Sequence, residues 1–336
     1  MGHGVPRTFP QLRNASGMTA IVAISPGTAL PAALAPELTR AGELAREEKA
    51  ASTRRAYRSD FRIFQSWCQD RGVSSLPAPA EAVAAFLAHD VEAGRRPSTL
   101  GRRVSAIGYA HKLAGHPAPT DDERVKATMR GIRRSLGTAP RKKTPATAER
   151  IVAMALAAGE DMKGLRDRAV LLIGFAGAFR RSEVVALNVE DLEESEQGFK
   201  VIIRHSKTDQ EGAGQTIAIM RGSVACPVAA LKAWLAAAGI SSGAIFRSVK
   251  KGGAVGGRLP AQSVADIVKT YAERVGLDPA LFAGHSMRSG FLTSAAKRGA
   301  SIFKMMDQSR HRSVETLRGY VRDAEIFKEH AGAGLL

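Results

Sequence analysis

The sequence predicts a mainly α protein with a small antiparallel β-sheet, split into an N-terminal helical domain and a C-terminal mixed α/β domain. Three observations carry that expectation. Apolar residues recur at helical spacing through most of the chain beyond residue 50. Two short runs rich in β-formers, 199–203 and 215–219, flank one polar turn. The stretch Gly137-Thr138-Ala139-Pro140-Arg141-Lys142-Lys143-Thr144-Pro145 holds two prolines and three adjacent cations, a poor helix and a good linker. The expected division is an extension over 1–45, a helical domain over 46–137, a linker over 138–146 and a second domain over 147–336.

The extension is rich in Gly, Pro, Ala and Ser without a sustained period, so it is expected to be disordered. From Ser52 the pattern changes. Tyr57, Phe61, Phe64 and Cys68 share one helical face, with Arg54, Arg55, Arg58 and Arg62 elsewhere, and Ser52 or Thr53 is placed to cap the start. Further helices are expected near 80–93, 98–114 and 120–136, the last with Asp121, Asp122 and Glu123 at the positive end of its dipole. Arg95, Arg96, Arg102 and Arg103 cluster at the start of the third helix.

Past the linker, helices are expected near 147–158, 163–176 and 181–187, then the two strands, then helices near 228–238, 262–275, 287–298, 302–307 and 314–321, with a short one near 324–330. The run Gly252-Gly253-Ala254-Val255-Gly256-Gly257 lacks the Lys-Ser/Thr of a phosphate-binding loop and is expected to be a flexible surface loop.

The chain has 336 residues, long enough for two cores, and its 44% hydrophobic content is ordinary for a globular protein. Lys and Arg number 49 against 32 Asp and Glu, a net charge of +17, which argues for a polyanionic partner such as nucleic acid, or else for a solvated basic surface. Cys68 and Cys226 have no CxxC neighbour, which argues against a zinc site or a disulfide framework and fits a reducing cytoplasm. No apolar run approaches the ~18–20 residues that span a membrane, so no membrane association is expected.

Six polar residues in the second domain carry the chemistry: Arg180, Lys207, His285, Arg288, His311 and Tyr320. Two arginines, a lysine and two histidines suit a pocket for a phosphodiester, and a phenol suits covalent attack on it. Each residue taken alone has a plainer reading. Arg180, at the end of the apolar run 169–175, sits three residues before Glu183, and such pairs are mostly surface salt bridges. Lys207, in the turn between the strands, reads as a solvated loop lysine. His285 and Arg288 are one helical turn apart, a weak pattern in isolation. Tyr320 follows His311 by nine residues, which also describes a polar loop before a helix with a half-buried tyrosine.

In order and spacing, these residues resemble the tyrosine recombinases of the phage integrase family, with Cre and the Xer proteins. Gly177-Ala178-Phe179-Arg180-Arg181-Ser182-Glu183 resembles the first arginine box, where members often carry Thr-Gly-Leu before the arginine. Ser206-Lys207-Thr208 matches the hairpin lysine, and Gly284-His285-Ser286-Met287-Arg288-Ser289-Gly290 matches the second box. His311 and Tyr320 match the closing box, although the glycine usual before that histidine is Arg310 here.

The resemblance implies that Arg180 and Arg288 clamp the scissile phosphate, supported by Glu183, that Lys207 protonates the departing 5′ oxygen, and that Tyr320 is the nucleophile. The phenol has an ordinary pKa of about 10 and needs a base or an electropositive pocket, for which His285 is the candidate. It also implies a core DNA-binding (SAM-like) fold for the helical domain and a tetramer on two double-stranded DNA sites, with side-chain cations in place of a metal or other cofactor. Arg54, Arg55, Arg95, Arg96, Arg102, Arg103, Arg141, Lys142 and Lys143 are the expected DNA contacts, and the expected location is the cytoplasm, at the nucleoid. The tail beyond Tyr320 is either a frayed end or a segment that docks in a neighbouring protomer. A relaxation enzyme of the type IB topoisomerase kind and a DNA-binding regulator without catalysis stay open as alternatives.

Overall fold

The computed structural model describes residues 32–46, 48–139, 143–204, 214–324 and 332–333. The chain separates into two compact units, with the division between Pro140 and Arg141.

In the first unit, α1 (Ala35–Arg46) is a helix where the sequence led us to expect disorder, and Ala35–Arg40 along it are exposed. The unit's core lies in α2 (Ala51–Gln69), α3 (Ala80–Glu92), α4 (Pro97–Leu113) and α5 (Glu123–Leu136). Of the stripe read from α2, Phe61, Phe64 and Cys68 are core, buried with Trp67, Val83, Phe86, Leu87, Leu100, Ile107 and Val125, and Tyr57 is half-buried. Phe64 and Phe86 meet at 5.1 Å between ring centroids, tilted by 58°. Such a pair adds ~0.5–1.5 kcal/mol to the burial of the rings themselves. The start of α2 differs from expectation. Its N-cap is Ala50, and neither Ser52 nor Thr53 caps it, both lying inside the first turn. At α5, Asp122 does cap, accepting from the Arg124 amide at 2.9 Å. His111 is fully buried and fully used: Nδ1 donates to the Ile107 carbonyl at 2.8 Å and Nε2 accepts from the Ala78 amide at 2.9 Å.

The second unit is built on α7 (Met162–Ala176), whose buried run 169–174 explains why its sequence is apolar on nearly every side. Around it lie α6 (Ala148–Leu156), α8 (Arg181–Ala186), α9 (Pro227–Ala237), α10 (Ala261–Arg274), α11 (Ser286–Lys297), α12 (Ile302–Ser309) and α13 (Val314–Ala324). A three-stranded antiparallel sheet runs β1 (Leu192–Ser195), β2 (Gly198–Ile203), β3 (Gln215–Met220), with Val201 opposite Ile217. The sequence signalled β2 and β3; it did not signal β1, an edge strand of sequence LEES without β-branched residues. A second pair, β4 (Arg247–Val249) and β5 (Val255–Arg258), takes in part of the glycine run expected to be a free loop. Lys250 and Ala254 close that hairpin by a backbone hydrogen bond of 2.9 Å.

The end of the expected linker belongs to this second unit. The Thr144 amide donates to Leu281 at 2.8 Å and the Ala146 amide to Ser286 at 2.9 Å. Gly290 of α11 is required here, because any Cβ would collide with the Ala146 carbonyl. That contact pins the strand-like segment 144–146 against the helix that carries Arg288.

Candidate active site

Two turns and a helix start build the site. At the end of α7 the chain turns through Ala178, whose φ of 45° is in the left-handed region. That conformation costs a residue with a Cβ about 1–2 kcal/mol. It aims Arg180 out of the apolar run, and Arg180 is the N-cap of α8. Glu183, in the first turn of α8 and buried, folds back to accept from the Arg180 amide at 2.9 Å and from its Nη1 at 2.6 Å. The pair that resembled a surface salt bridge is therefore an interior one. The Arg180 side chain keeps 16% of its exposure, enough to present an edge outward.

Arg288 comes from the first turn of α11 and is fully buried. Its Nη1 donates to the Ala178 carbonyl at 2.7 Å, and its Nη2 lies 3.3 and 3.4 Å from the two ring nitrogens of His311. Burial, with Arg180 and Arg310 nearby, pushes the Arg288 guanidinium down to about 9, so it stays charged at neutral pH. His285 stands at the N-cap position of the same helix without a side-chain capping bond and is exposed, so it does not share the depth of Arg288, yet it lies within electrostatic reach of His311.

His311 is pushed down to about 4 by burial and by the surrounding cations Arg288 and Arg180. It is neutral at physiological pH. The Ser309 hydroxyl donates to the Met305 carbonyl at 2.5 Å, so it accepts from His311 Nδ1–H at 2.7 Å, which leaves Nε2 as the acceptor. Tyr320 is half-buried on α13 against the small cluster of Leu292, Ala296, Met305 and Leu317. Burial raises its phenol, and Arg288 opposes that rise, which places the two groups within electrostatic reach.

The sequence did not single out Arg310 as part of the site. It ends α12 in the left-handed conformation (φ 58°, ψ 41°) and its side chain is buried, the residue retaining 4% exposure. Its Nη2 donates to Glu183 at 2.7 Å and to the Ala178 carbonyl at 3.2 Å; Nη1 donates to Gly177 at 3.0 Å and Gln308 at 2.8 Å. Burial pushes Glu183 up, but Arg310 and Arg180 outweigh it and hold the carboxyl below its ordinary value. The signal that was available was a cation standing at a glycine position.

The remaining expected residues divide. Lys207, Arg141 and Lys142 lie outside the described residues. Arg55, Arg95, Arg96 and Lys143 are exposed, and Arg54 is half-buried. Arg102 makes a two-pronged pair with Asp60 at 2.6 and 3.1 Å. Arg103 corrects the expectation: it is only 5% exposed and is paired with Asp90, so its guanidinium holds the helical unit together and is not free to meet a phosphate. Among the described residues there is no group of three His, Cys, Asp or Glu side chains that could hold a metal, and no helix is long and apolar enough to cross a membrane.

Residues 43–115 match the phage integrase N-terminal SAM-like domain. The chain is 42% identical to an integrase/recombinase xerD homolog of Selenomonas ruminantium over 85% of each chain, and 23% identical to Recombinase cre of Escherichia phage P1 over 79% of this chain and 82% of that one. Its fold resembles that of a lambda integrase dimer bound to a COC' core site, with a TM-score of 0.59 at 17% identity, over 85% of this chain and 94% of the other. With residues 144–325, more than half of its length, matching the model of that family, the chain belongs to the phage integrase family.

Proposed function

We propose that this chain is a site-specific tyrosine recombinase that cleaves and rejoins DNA through a 3′-phosphotyrosine. The observation that carries the reading is charge imbalance in a buried site. Arg180 and Arg310 pair with one carboxylate, Glu183, while Arg288 is bonded only to the Ala178 carbonyl and to a neutral histidine, with a half-buried phenol within electrostatic reach. Buried charge that its neighbours do not balance calls for an anion. A phosphodiester supplies it, and attack at phosphorus puts more negative charge on the same non-bridging oxygens.

In the proposed reaction, Arg180 and Arg288 hold those oxygens. The Tyr320 oxygen forms the new bond to phosphorus, giving up its proton to a nearby base, for which His285 is the candidate. The bond from phosphorus to the 5′ oxygen breaks, and Lys207 protonates the departing oxygen. The phosphotyrosine conserves the ester linkage, so a 5′ hydroxyl from a second strand attacks it, the bond to Tyr320 breaks, and the phenol recovers its proton. His311, neutral and seated against the Arg288 guanidinium, orients that clamp.

Strand exchange needs several copies on DNA, and a tetramer on two duplex sites is part of this proposal. An apolar cavity of about 650 Å³ in the second unit, lined by Ile151, Leu172, Phe175, Met220, Phe291 and Met305 among others, supports it as a place for a partner's terminal segment. The exposed arginines Arg55, Arg95 and Arg96, with the half-buried Arg54 and with Arg102, Arg141, Lys142 and Lys143, are proposed backbone contacts that set affinity more than sequence choice. The proposed location is the cytoplasm, at the nucleoid.

The test is a nicked duplex made from DNA flanking the gene, incubated with wild type and with Tyr320→Phe and resolved on a denaturing gel. A covalent adduct in the wild type alone is expected. Specific binding without an adduct would instead identify a regulator.

A further inference from the structure

We infer that Arg310 is a positioning residue for the phosphate clamp: it neutralises Glu183 from behind, so that Arg180 keeps its charge for the DNA. This rests on the proposed recombinase chemistry and adds to it a residue in a place where the family usually has glycine.

Two observations point the same way. Among the described residues, Ala178 and Arg310 are the two non-glycine positions with positive φ. They are also two places where the chain departs from the glycines common in the resembling boxes, and they touch: Arg310 Nη2 donates to the Ala178 carbonyl at 3.2 Å. The left-handed backbone accounts for glycine at both positions. It does not account for an arginine, whose side chain could point to water from a helix end. Here it turns inward and is buried deeper than Arg180.

The arrangement of bonds says what the guanidinium does there. Glu183 has two carboxylate oxygens; Oε1 takes Arg180 Nη1, and Oε2 takes the Arg180 amide and Arg310 Nη2. With glycine at 310, the whole carboxylate charge would fall on Arg180, weakening its hold on a phosphate. With Arg310 in place, Glu183 still fixes the Arg180 side chain while its charge is shared. Arg310 also donates to the carbonyls of Gly177 and Ala178, the turn that aims Arg180, and the Ala178 carbonyl is shared with Arg288. One buried cation thus braces the supports of both clamp arginines. A purely structural role would predict the same bonds but no effect on charge at the phosphate, and the test turns on that difference.

The experiment measures the rate of covalent cleavage of the nicked duplex at saturating protein, for wild type, Arg310→Gly, Glu183→Gln and the double variant, each with its DNA affinity and melting temperature. Arg310→Gly is expected to cleave at least tenfold more slowly, about 1.4 kcal/mol at the transition state, with DNA affinity changed less than twofold. Adding Glu183→Gln to Arg310→Gly should return part of that loss, because the carboxylate that draws on Arg180 is then neutral. A methylphosphonate at the scissile position, which carries no charge for the clamp to hold, should narrow the gap between Arg310→Gly and wild type.

Cleavage at the wild-type rate by Arg310→Gly overturns the inference, as does a loss that neither Glu183→Gln nor the methylphosphonate reduces. If Arg310→Gly does not fold, Arg310→Lys and Arg310→Gln replace it. Lysine retaining several-fold more activity than glutamine supports the inference, and equal loss overturns it. Failure of the wild type itself to form an adduct on a DNA that it binds specifically counts against the recombinase reading, and with it against this one.

Discussion

Each unit sets arginines against buried carboxylates, and the two clusters are built on opposite plans. In the helical unit, Arg102 and Arg103 face Asp60 and Asp90: two cations, two carboxylates. In the second unit, Arg180 and Arg310 share Glu183, and the buried Arg288 has no carboxylate bonded to it among the described residues, only the Ala178 carbonyl and His311. The first set is complete in itself, and its arginine is spent on packing against Phe86, 5.5 Å from the ring centroid. The second is short of negative charge, and the shortage is visible in Arg288 and His311, both held below their ordinary pKa by burial and neighbouring cations. A balanced buried cluster stabilises one arrangement of helices. An unbalanced one is held at a cost to stability until an anion arrives.

Four measurements sharpen or break that contrast. The largest expected effect is on stability. Arg103→Met strands Asp90 in the interior and should cost about 3–5 kcal/mol. A denaturant titration that finds no loss would remove the structural half of the comparison. Next, Arg288→Met should cut cleavage of the nicked duplex by hundreds-fold, about 2.7–4 kcal/mol by analogy with a single preorganised oxyanion donor. It should melt no lower than wild type, because it deletes a poorly compensated buried charge; a clear drop in melting temperature would mean that the second cluster is structural too.

The third concerns pH. An unfolded His311 takes up its proton near 6.5, the folded one only near 4. Between those values the unfolded chain binds more protons, so stability falls as pH drops from about 6.5 to about 4. His311→Gln should lose fewer degrees of melting temperature over that window than wild type, while carboxylate effects common to both cancel. The smallest effect is a direct titration of the charge shortage. Sulfate at ten times its dissociation constant should stabilise wild type by about 1.4 kcal/mol, a few degrees. Arg288→Met should show only the general salt effect.

Much of this was legible along the chain. The stripe of Phe61, Phe64 and Cys68 and the run 169–174 are cores because periodicity and unbroken apolarity leave them nowhere else to go. The acidic residues expected at the dipole's positive end do lie at the start of α5, and Asp122, expected inside the helix, is its cap, since a carboxylate beside free amides is a local matter. Ser52 and Thr53 looked equally suited, yet α2 starts before them, at Ala51, with Ala50 as its N-cap. β1 and the β4–β5 pair were silent, for their pairing depends on partners and each is short with polar residues or glycine at most positions.

The site divides in the same way. The residue types and their order, through the resemblance they carry, made Arg180, Lys207, Glu183, His285, Arg288, His311 and Tyr320 candidates, because the chemistry of a phosphodiester demands cations and a nucleophile whatever holds them. Depth was not written in the sequence. Arg102 and Arg103 are adjacent and alike, and burial of Arg103 beside Asp90 is decided by the way α3 and α4 meet. Arg310 looked like a lapse from a glycine pattern, and only the approach of the end of α12 to the Ala178 turn joins it to Glu183. Sequence alone determined which groups are present and which local structure they favour. Tertiary structure decided which charges lose their water together, because desolvation and pairing depend on neighbours more than a hundred residues away.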